Sequence, residues 1–243
     1  MLEMDESGVH QAVLLPIDAT TAHGCKIVSN EQVAKLVEKQ PRFIGFASVD
    51  PNLPEAPAQL EQAIRKLGLR GLKLDPSFQR FRLGDRQHAF PVYQTCAELG
   101  IPVLLHVGLS WTPSGLAQFS QPLDLEEAVQ MFPKVNFILA HFAWPWVNEA
   151  VMLAVKYPNV YLDTAILYSG TPKNAYQRIL GDQVGLDVLE RSLKNQIVFG
   201  SNYPRVDMRR SVRGIRALKV SPALMNSIFS ANAERLLGRE VAS

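Results

Sequence analysis

Seven short apolar runs, each followed by an amphipathic stretch, give this chain one repeating rhythm that restricts the folds open to it. The runs are Val13-Leu14-Leu15-Pro16, Phe43-Ile44-Gly45-Phe46-Ala47-Ser48-Val49, Gly71-Leu72-Lys73-Leu74, Pro102-Val103-Leu104-Leu105, Phe137-Ile138-Leu139-Ala140, Asn159-Val160-Tyr161-Leu162-Asp163 and Ile197-Val198-Phe199-Gly200-Ser201. Helices are expected over 31–39, 56–67, 90–99, 123–131, 147–156, within 175–193, over 209–218 and over 223–237, with Gly100 as a C-terminal stop. This alternation predicts a parallel sheet with helices outside it, and continuous Val/Ile/Leu strands match burial on both faces. The expected fold class is α/β, a TIM (β/α)8-type barrel.

Seven is one unit short of eight. The chain opens with Leu2-Glu3-Met4-Asp5-Glu6-Ser7-Gly8, which reads as the tail of a helix with no strand before it. The barrel is therefore expected to lack its first βα unit. No linker or low-complexity segment breaks the rhythm, so residues 1–243 are expected to be a single, N-terminally incomplete domain. A barrel without that unit has an open seam whose strand edges invite pairing with another chain. A homo-oligomer is the expectation.

Composition narrows the function classes. Hydrophobic residues make up 47% and charged residues 20%, enough for a normal core, and the net charge of +2 points to neither nucleic acid nor a membrane surface. The apolar runs fall short of the ~20 residues of a membrane span, and the acidic N-terminus lacks the order of a signal peptide. Cys25 and Cys96 have no framework spacing, which suits reduced thiols. A cytoplasmic protein acting on a small-molecule substrate is expected.

Polar residues close three of the strands: His106, His141 and Asn202. In parallel βα barrels the functional side chains sit at the carboxyl-terminal strand ends. Period-two alternation puts Leu104 and His106 on one face, and Phe137, Leu139 and His141 on one face; if these faces point inward, both imidazoles reach the barrel mouth. Neutral imidazole ligates zinc and similar ions, and histidine titrates near neutrality. The bland alternative is a pair of hydrogen-bonded histidines packed near the surface. Asn202 can orient a substrate, but an amide is a weak ligand and no base; it equally suits a helix N-cap or a turn, with Pro204 in the first turn of the next helix.

Lys73 and Asp75 fall on the face opposite Leu72 and Leu74. A desolvated lysine can bind an anionic substrate or shift its pKa, and a Lys–Asp pair closing the strand end is the structural alternative. Asp163, which with Thr164 ends another strand, suits a loop-bonding role better than that of a base. Trp111 and Trp144, with Trp146, can line a pocket or simply pack. His10, His23 and His88 fall in loop-like or surface contexts and are assigned no role.

The motifs together resemble the amidohydrolase-related branch of the amidohydrolase superfamily. These are metal-dependent TIM-barrel hydrolases and decarboxylases, among them aminocarboxymuconate-semialdehyde decarboxylase. The resemblance runs nearly the whole length. It is carried by Met4-Asp5-Glu6-Ser7-Gly8-Val9, Gly71-Leu72-Lys73-Leu74, Pro102-Val103-Leu104-Leu105-His106 and Ala140-His141-Phe142-Ala143-Trp144-Pro145-Trp146. It continues through Tyr157-Pro158-Asn159-Val160-Tyr161-Leu162-Asp163, Phe199-Gly200-Ser201-Asn202-Tyr203-Pro204 and Asn232-Ala233-Glu234-Arg235-Leu236-Leu237-Gly238.

The resemblance implies a divalent metal, zinc first, with His106 as a metal ligand and His141 as the catalytic histidine. It puts Asn202 where the family has an aspartate that ligates metal and handles the proton. The family's His-x-His pair has no counterpart here, so only His106 remains of the four implied ligands. A hydrolase or carboxy-lyase acting on a small carboxylate-bearing or cyclic substrate is the first expectation, with its metal site degraded in this chain. Lys73, Trp111 and Trp144 are the candidate substrate contacts. Two further readings stay open: a catalytically inactive barrel kept as a binding or assembly partner, and a metal-independent lactonase using His141 and Lys73.

Overall fold

Each of the seven apolar runs carries a strand, and all seven are parallel. The protein was analysed as a computed structural model that describes residues 1–165 and 171–238. In chain order the strands are β1 (Ala12–Leu14), β2 (Ile17–Ala19), β3 (Cys25–Ile27), β4 (Phe43–Gly45), β5 (Leu72–Leu74), β6 (Val103–Leu105), β7 (Phe137–Leu139), β8 (Val160–Asp163) and β9 (Ile197–Val198). β1 pairs with β4, and β5 to β9 form one five-stranded sheet in sequence order. A parallel bridge from Ala47 to Leu72 joins the two ladders: the Ala47 amide donates to Gly71 O and the Lys73 amide to Ala47 O, both at 2.7 Å. Consecutive parallel neighbours with a helix between them are the signature of βα units wound in one direction. Among the described residues no ladder joins β9 to β1.

The sequence reading omitted β2 and β3, an antiparallel pair that follows β1. Their signal is weak because each strand is three residues long with a charged residue at its centre, Asp18 and Lys26 facing each other as an ion pair at 2.7 Å. Other differences lie at helix ends. The helix expected over 123–131 begins with a 3-10 turn, Pro122–Leu125, before the α-helix Glu126–Met131. The stretches expected as continuous helices late in the chain contain wider π-type turns, Gln177–Gly185 and Ser227–Ala231.

Register divides the strand side chains into two sets. Leu72, Val103, Phe137 and Val160 align in one row, and Leu74, Leu105, Leu139, Leu162 and Ile197 in the next. All are fully buried against the surrounding helices. Burying a leucine or phenylalanine stabilises the fold by about 1.5–3 kcal/mol, so these rows fix the register. The opposite parity carries Lys73, Leu104, Ile138 and Tyr161 in one row. Here Ile138, Tyr161 and Val198 pack with Leu236 as a second cluster.

The helix Asn232–Leu236 reaches that inner face from below. Asn232 Nδ2 donates to Lys194 O at 2.9 Å and to Ile197 O at 2.7 Å, and Arg70 Nη2 donates to Leu237 O at 3.2 Å. Lys194 and Arg70 precede their strands, so the helix closes the amino-terminal end of the barrel. The carboxyl-terminal strand ends are left to form the site.

Candidate active site at the strand ends

His106 follows β6 directly, and its imidazole is buried. His141 follows β7, but not as strand alternation predicts. Leu139 is in register with Leu105 on the helix side, so an extended chain would carry His141 away from His106. Instead His141, Phe142 and Ala143 take φ values of 63°, 49° and 52°. This left-handed turn re-aims the ring, and the expectation of a shared Phe137–Leu139–His141 face is corrected. The result is a contact: His106 Nδ1 lies 3.1 Å from His141 Nε2, with the rings inclined at 63°.

A left-handed residue with a side chain costs about 1–2 kcal/mol, so three in a row persist only where the surroundings hold them. Asp163, at the end of β8, does so from one side. Its Oδ1 accepts the His141 amide at 2.7 Å and the Ala165 amide at 2.9 Å. Its loop-bonding role agrees with the sequence reading. From the other side the Leu109 amide donates to Trp144 O at 2.8 Å. Gly108, at φ 97°, lets the loop after β6 approach that closely; a Cβ there would stand 2.2 Å from Trp144 O.

The hydrogen bonds fix the protons. His141 Nδ1 is 2.7 Å from the Ala165 carbonyl, which can only accept, so Nδ1 carries the hydrogen. Burial pushes the imidazole down from its ordinary pKa, with Asp163 opposing, so the ring is neutral and Nε2 is an acceptor. His106 Nδ1–H therefore donates to it. His106 is also neutral, its pKa pushed by burial down to about 3, partly offset by Asp75. That leaves His106 Nε2 as a bare lone pair, buried and without a hydrogen-bond partner among the described residues. The Ala165 carbonyl that orders the chain of protons is a backbone group and leaves no trace in sequence.

Lys73 lies on the inner face in the middle of β5, 6% exposed, and makes no hydrogen bond or ion pair among the described residues. The expected Lys73–Asp75 pair does not close: Asp75 instead caps the helix Pro76–Gln79, accepting the Phe78 amide at 3.1 Å. Burial lowers the Lys73 pKa, while the charges of Asp75 and Asp163 partly restore it. Both imidazoles feel its charge.

Asn202 lies in the loop after β9. It sits at φ 55°, a conformation asparagine tolerates, and its carbonyl accepts the Arg205 amide at 3.0 Å. It is not an N-cap: the next helix, Met208–Arg216, is capped by Asp207, whose Oδ1 accepts the Arg210 amide at 3.1 Å. Pro204 accordingly lies in a turn outside that helix. Trp144 packs against the main core, whereas Trp111 is 57% exposed on the loop after β6. His10 is exposed, His88 pairs with Asp85 at 2.8 Å, and His23 stacks on Phe78 at 4.1 Å with its Nε2 buried and unpaired.

A parallel barrel with paired histidines at its carboxyl-terminal end agrees with the family comparison, in which the amidohydrolase profile matches residues 8–239. The chain belongs to the amidohydrolase family. Over 259 residues this amidohydrolase is 24% identical to a 2-keto-4-carboxy-3-hexenedioate hydratase of Sphingobium sp., across 86% of this chain and 70% of that protein. An 83-residue stretch is 35% identical to protein fluG of Emericella nidulans, across 34% of this chain but only 10% of that protein.

Among solved structures, an uncharacterized TIM-barrel protein of Bordetella bronchiseptica superposes with a TM-score of 0.82 at 26% identity, covering 98% of this chain and 80% of that one. A dihydroxybenzoic acid decarboxylase of Polaromonas sp., solved with bound manganese and the inhibitor 2-nitroresorcinol, gives 0.67 at 22% identity, covering 97% and 83%. The fold of this amidohydrolase is thereby shared with a decarboxylase solved with manganese bound.

The donors of this chain do not fit a metal centre. No group of three His, Cys, Asp or Glu side chains able to hold an ion occurs among the described residues. His141 Nε2 is already the acceptor for His106, so one imidazole lone pair remains. A catalytic zinc needs about three protein ligands. No chemical step is therefore drawn through a metal.

Proposed function

We propose that this amidohydrolase is a lyase or hydrolase for a small substrate bearing a carboxylate, with His106 and His141 moving the proton at the reacting centre. One observation carries the reading: the buried lone pair on His106 Nε2 at the strand ends, without a hydrogen-bond partner among the described residues. Leaving a buried polar atom unpaired costs about 1–3 kcal/mol, and unlike His23, which carries a similar atom away from the strand ends, His106 stands in contact with a second imidazole. A histidine fixed as an acceptor can take a proton from water or substrate.

The arrangement can pass charge along. A proton arriving at His106 Nε2 makes an imidazolium whose Nδ1–H already points at His141 Nε2. His141 is held in turn by the Ala165 carbonyl, so neither ring has to turn. Hydration, decarboxylation and ester hydrolysis all need a proton taken or delivered beside a carbonyl or carboxylate. The curated hydratase supports a carboxylated substrate by its name, and the decarboxylase fold neighbour is compatible with one. Lys73, buried on the inner face beside the pair, favours an anion when it carries its proton.

The test is a panel of dihydroxybenzoates, unsaturated 2-oxo polycarboxylates and carboxylated lactones, followed by carbon dioxide release and ultraviolet absorbance. Turnover of at least one member is expected, reduced by about 10²–10⁴-fold in a His106→Gln variant that keeps its Tm. No turnover, or an unchanged rate in that variant, overturns the reading and leaves the barrel a binding or assembly protein.

A further inference from the structure

We propose that Lys73 is a covalent catalytic residue whose amine forms an iminium with the ketone of a 2-oxo or 3-oxo carboxylic acid. The inference rests on the site reading above and adds a bond to it.

Position comes first. Lys73 stands opposite Leu104 in the β5–β6 ladder, two residues before His106 along the neighbouring strand and on the same inner face. Its side chain is buried beside the strand that carries that histidine, 6% exposed.

Its surroundings come second. Buried lysines are normally paired, because an isolated ammonium in a protein interior is costly. Among the described residues Lys73 has no ion pair, although two carboxylates influence it. Both have other duties: Asp75 Oδ1 caps the Phe78 amide, and Asp163 Oδ1 holds the His141 and Ala165 amides. They steady a positive charge without capturing the amine. The remaining titratable groups bearing on it, His106 and His141, are neutral imidazoles. Burial favours the neutral amine, which is the nucleophilic form.

The chemistry balances with water alone. The Lys73 nitrogen pair forms a C–N bond at the ketone carbon, and the C=O pair becomes a hydroxyl. The ammonium proton of the adduct passes by way of His106 Nε2 to that oxygen, and the hydroxyl leaves as water after a second protonation from solvent. One proton is taken up overall and an iminium remains. That iminium accepts the electron pair released when a 3-carboxylate departs as carbon dioxide, or when water adds to a conjugated double bond. His106 Nε2 takes the proton that the adding water gives up, or one from solvent where carbon dioxide leaves, and the imidazolium delivers it to the enamine carbon. Water then hydrolyses the iminium, restoring amine and ketone and returning the proton taken up.

The probe is pyruvate, the smallest stable 2-oxo acid, with sodium borohydride to reduce any iminium to a secondary amine. Peptide mass spectrometry of the whole chain then locates the adduct. The expected result is modification at Lys73 at least roughly tenfold above that at the exposed Lys39 or Lys219. The competing anion 2-hydroxypropionate, which has no ketone, leaves no adduct. Labelling at Lys73 no greater than at those surface lysines overturns the proposal.

A Lys73→Met variant that remains folded is expected to lose turnover of oxo acids. Retained oxo-acid turnover in that variant would also overturn the covalent role. The outcomes separate from those of the site reading: no adduct with His106-dependent turnover intact leaves Lys73 as an anion contact only. An adduct without panel turnover instead sinks the assignment of substrates and keeps the reactive amine.

Discussion

His106 Nδ1 donates to His141 Nε2 across 3.1 Å, and His141 Nδ1 donates to the Ala165 carbonyl at 2.7 Å, so one backbone carbonyl sets the proton positions of both imidazoles. Replacing His141 with Phe keeps an aromatic ring but removes the acceptor. The His106 Nδ1–H is then buried without a partner, at a cost of about 1–3 kcal/mol in stability. Turnover is expected to fall by about 10²–10⁴-fold. Denaturant unfolding and rate measurement on the same preparation check both.

Acid sensitivity follows from the neutral pair. The folded pKa of His106, about 3, lies below the ordinary 6.5, so between these values the unfolded chain binds more protons. Stability is therefore full above pH 6.5 and is lost as pH falls toward 3. From pH 7 to pH 5 this one group removes roughly 2 kcal/mol. His141, lowered by the same burial, acts in the same direction. A His106→Gln variant should lose less stability over that interval; an identical pH slope would refute the assignment.

Asp163 links β8 to the left-handed turn through one oxygen that serves two amides. Asp163→Ala strands both and is expected to cost about 3 kcal/mol and most of the activity. Asp163→Asn keeps an acceptor oxygen and should cost visibly less on both counts. Thermal unfolding and turnover of the two variants distinguish a positioning role from a proton-transfer role.

Gly108 is needed for the approach of two loops. A Cβ at this position would stand 2.2 Å from Trp144 O at φ 97°, whereas Gly100, at φ 64°, has nothing within 4 Å of its would-be Cβ. Gly108→Ala is expected to destabilise by more than about 2 kcal/mol and to lower activity. Gly100→Ala should cost about 1 kcal/mol and leave the rate unchanged. Equal effects would remove the loop contact from the account.

The strand rhythm was legible because fully buried parallel strands are nearly pure Val, Ile and Leu, and all seven parallel strands lie within the apolar runs. His106, Lys73 and Asp163 were legible for the same reason: each sits on or beside a regular strand whose faces alternate. His141 reached the right cluster by a route the alternation argument had wrong. Three successive left-handed residues without a glycine carry no sequence signal that a period-two reading can use. The β2–β3 pair was missed because each strand has only three residues with a charged one at its centre, and Asn202 was read from its place after a strand, where its backbone serves a turn.

The central claim is that His106 presents a bare Nε2 lone pair at neutral pH. Long-range ¹H–¹⁵N correlation of the imidazole rings across pH 4 to 8 tests it most directly. The account predicts protonated Nδ1 and unprotonated Nε2 on both His106 and His141 at pH 7, with no titration of His106 near 6.5. A hydrogen on His106 Nε2, or a His106 midpoint close to 6.5, would contradict it.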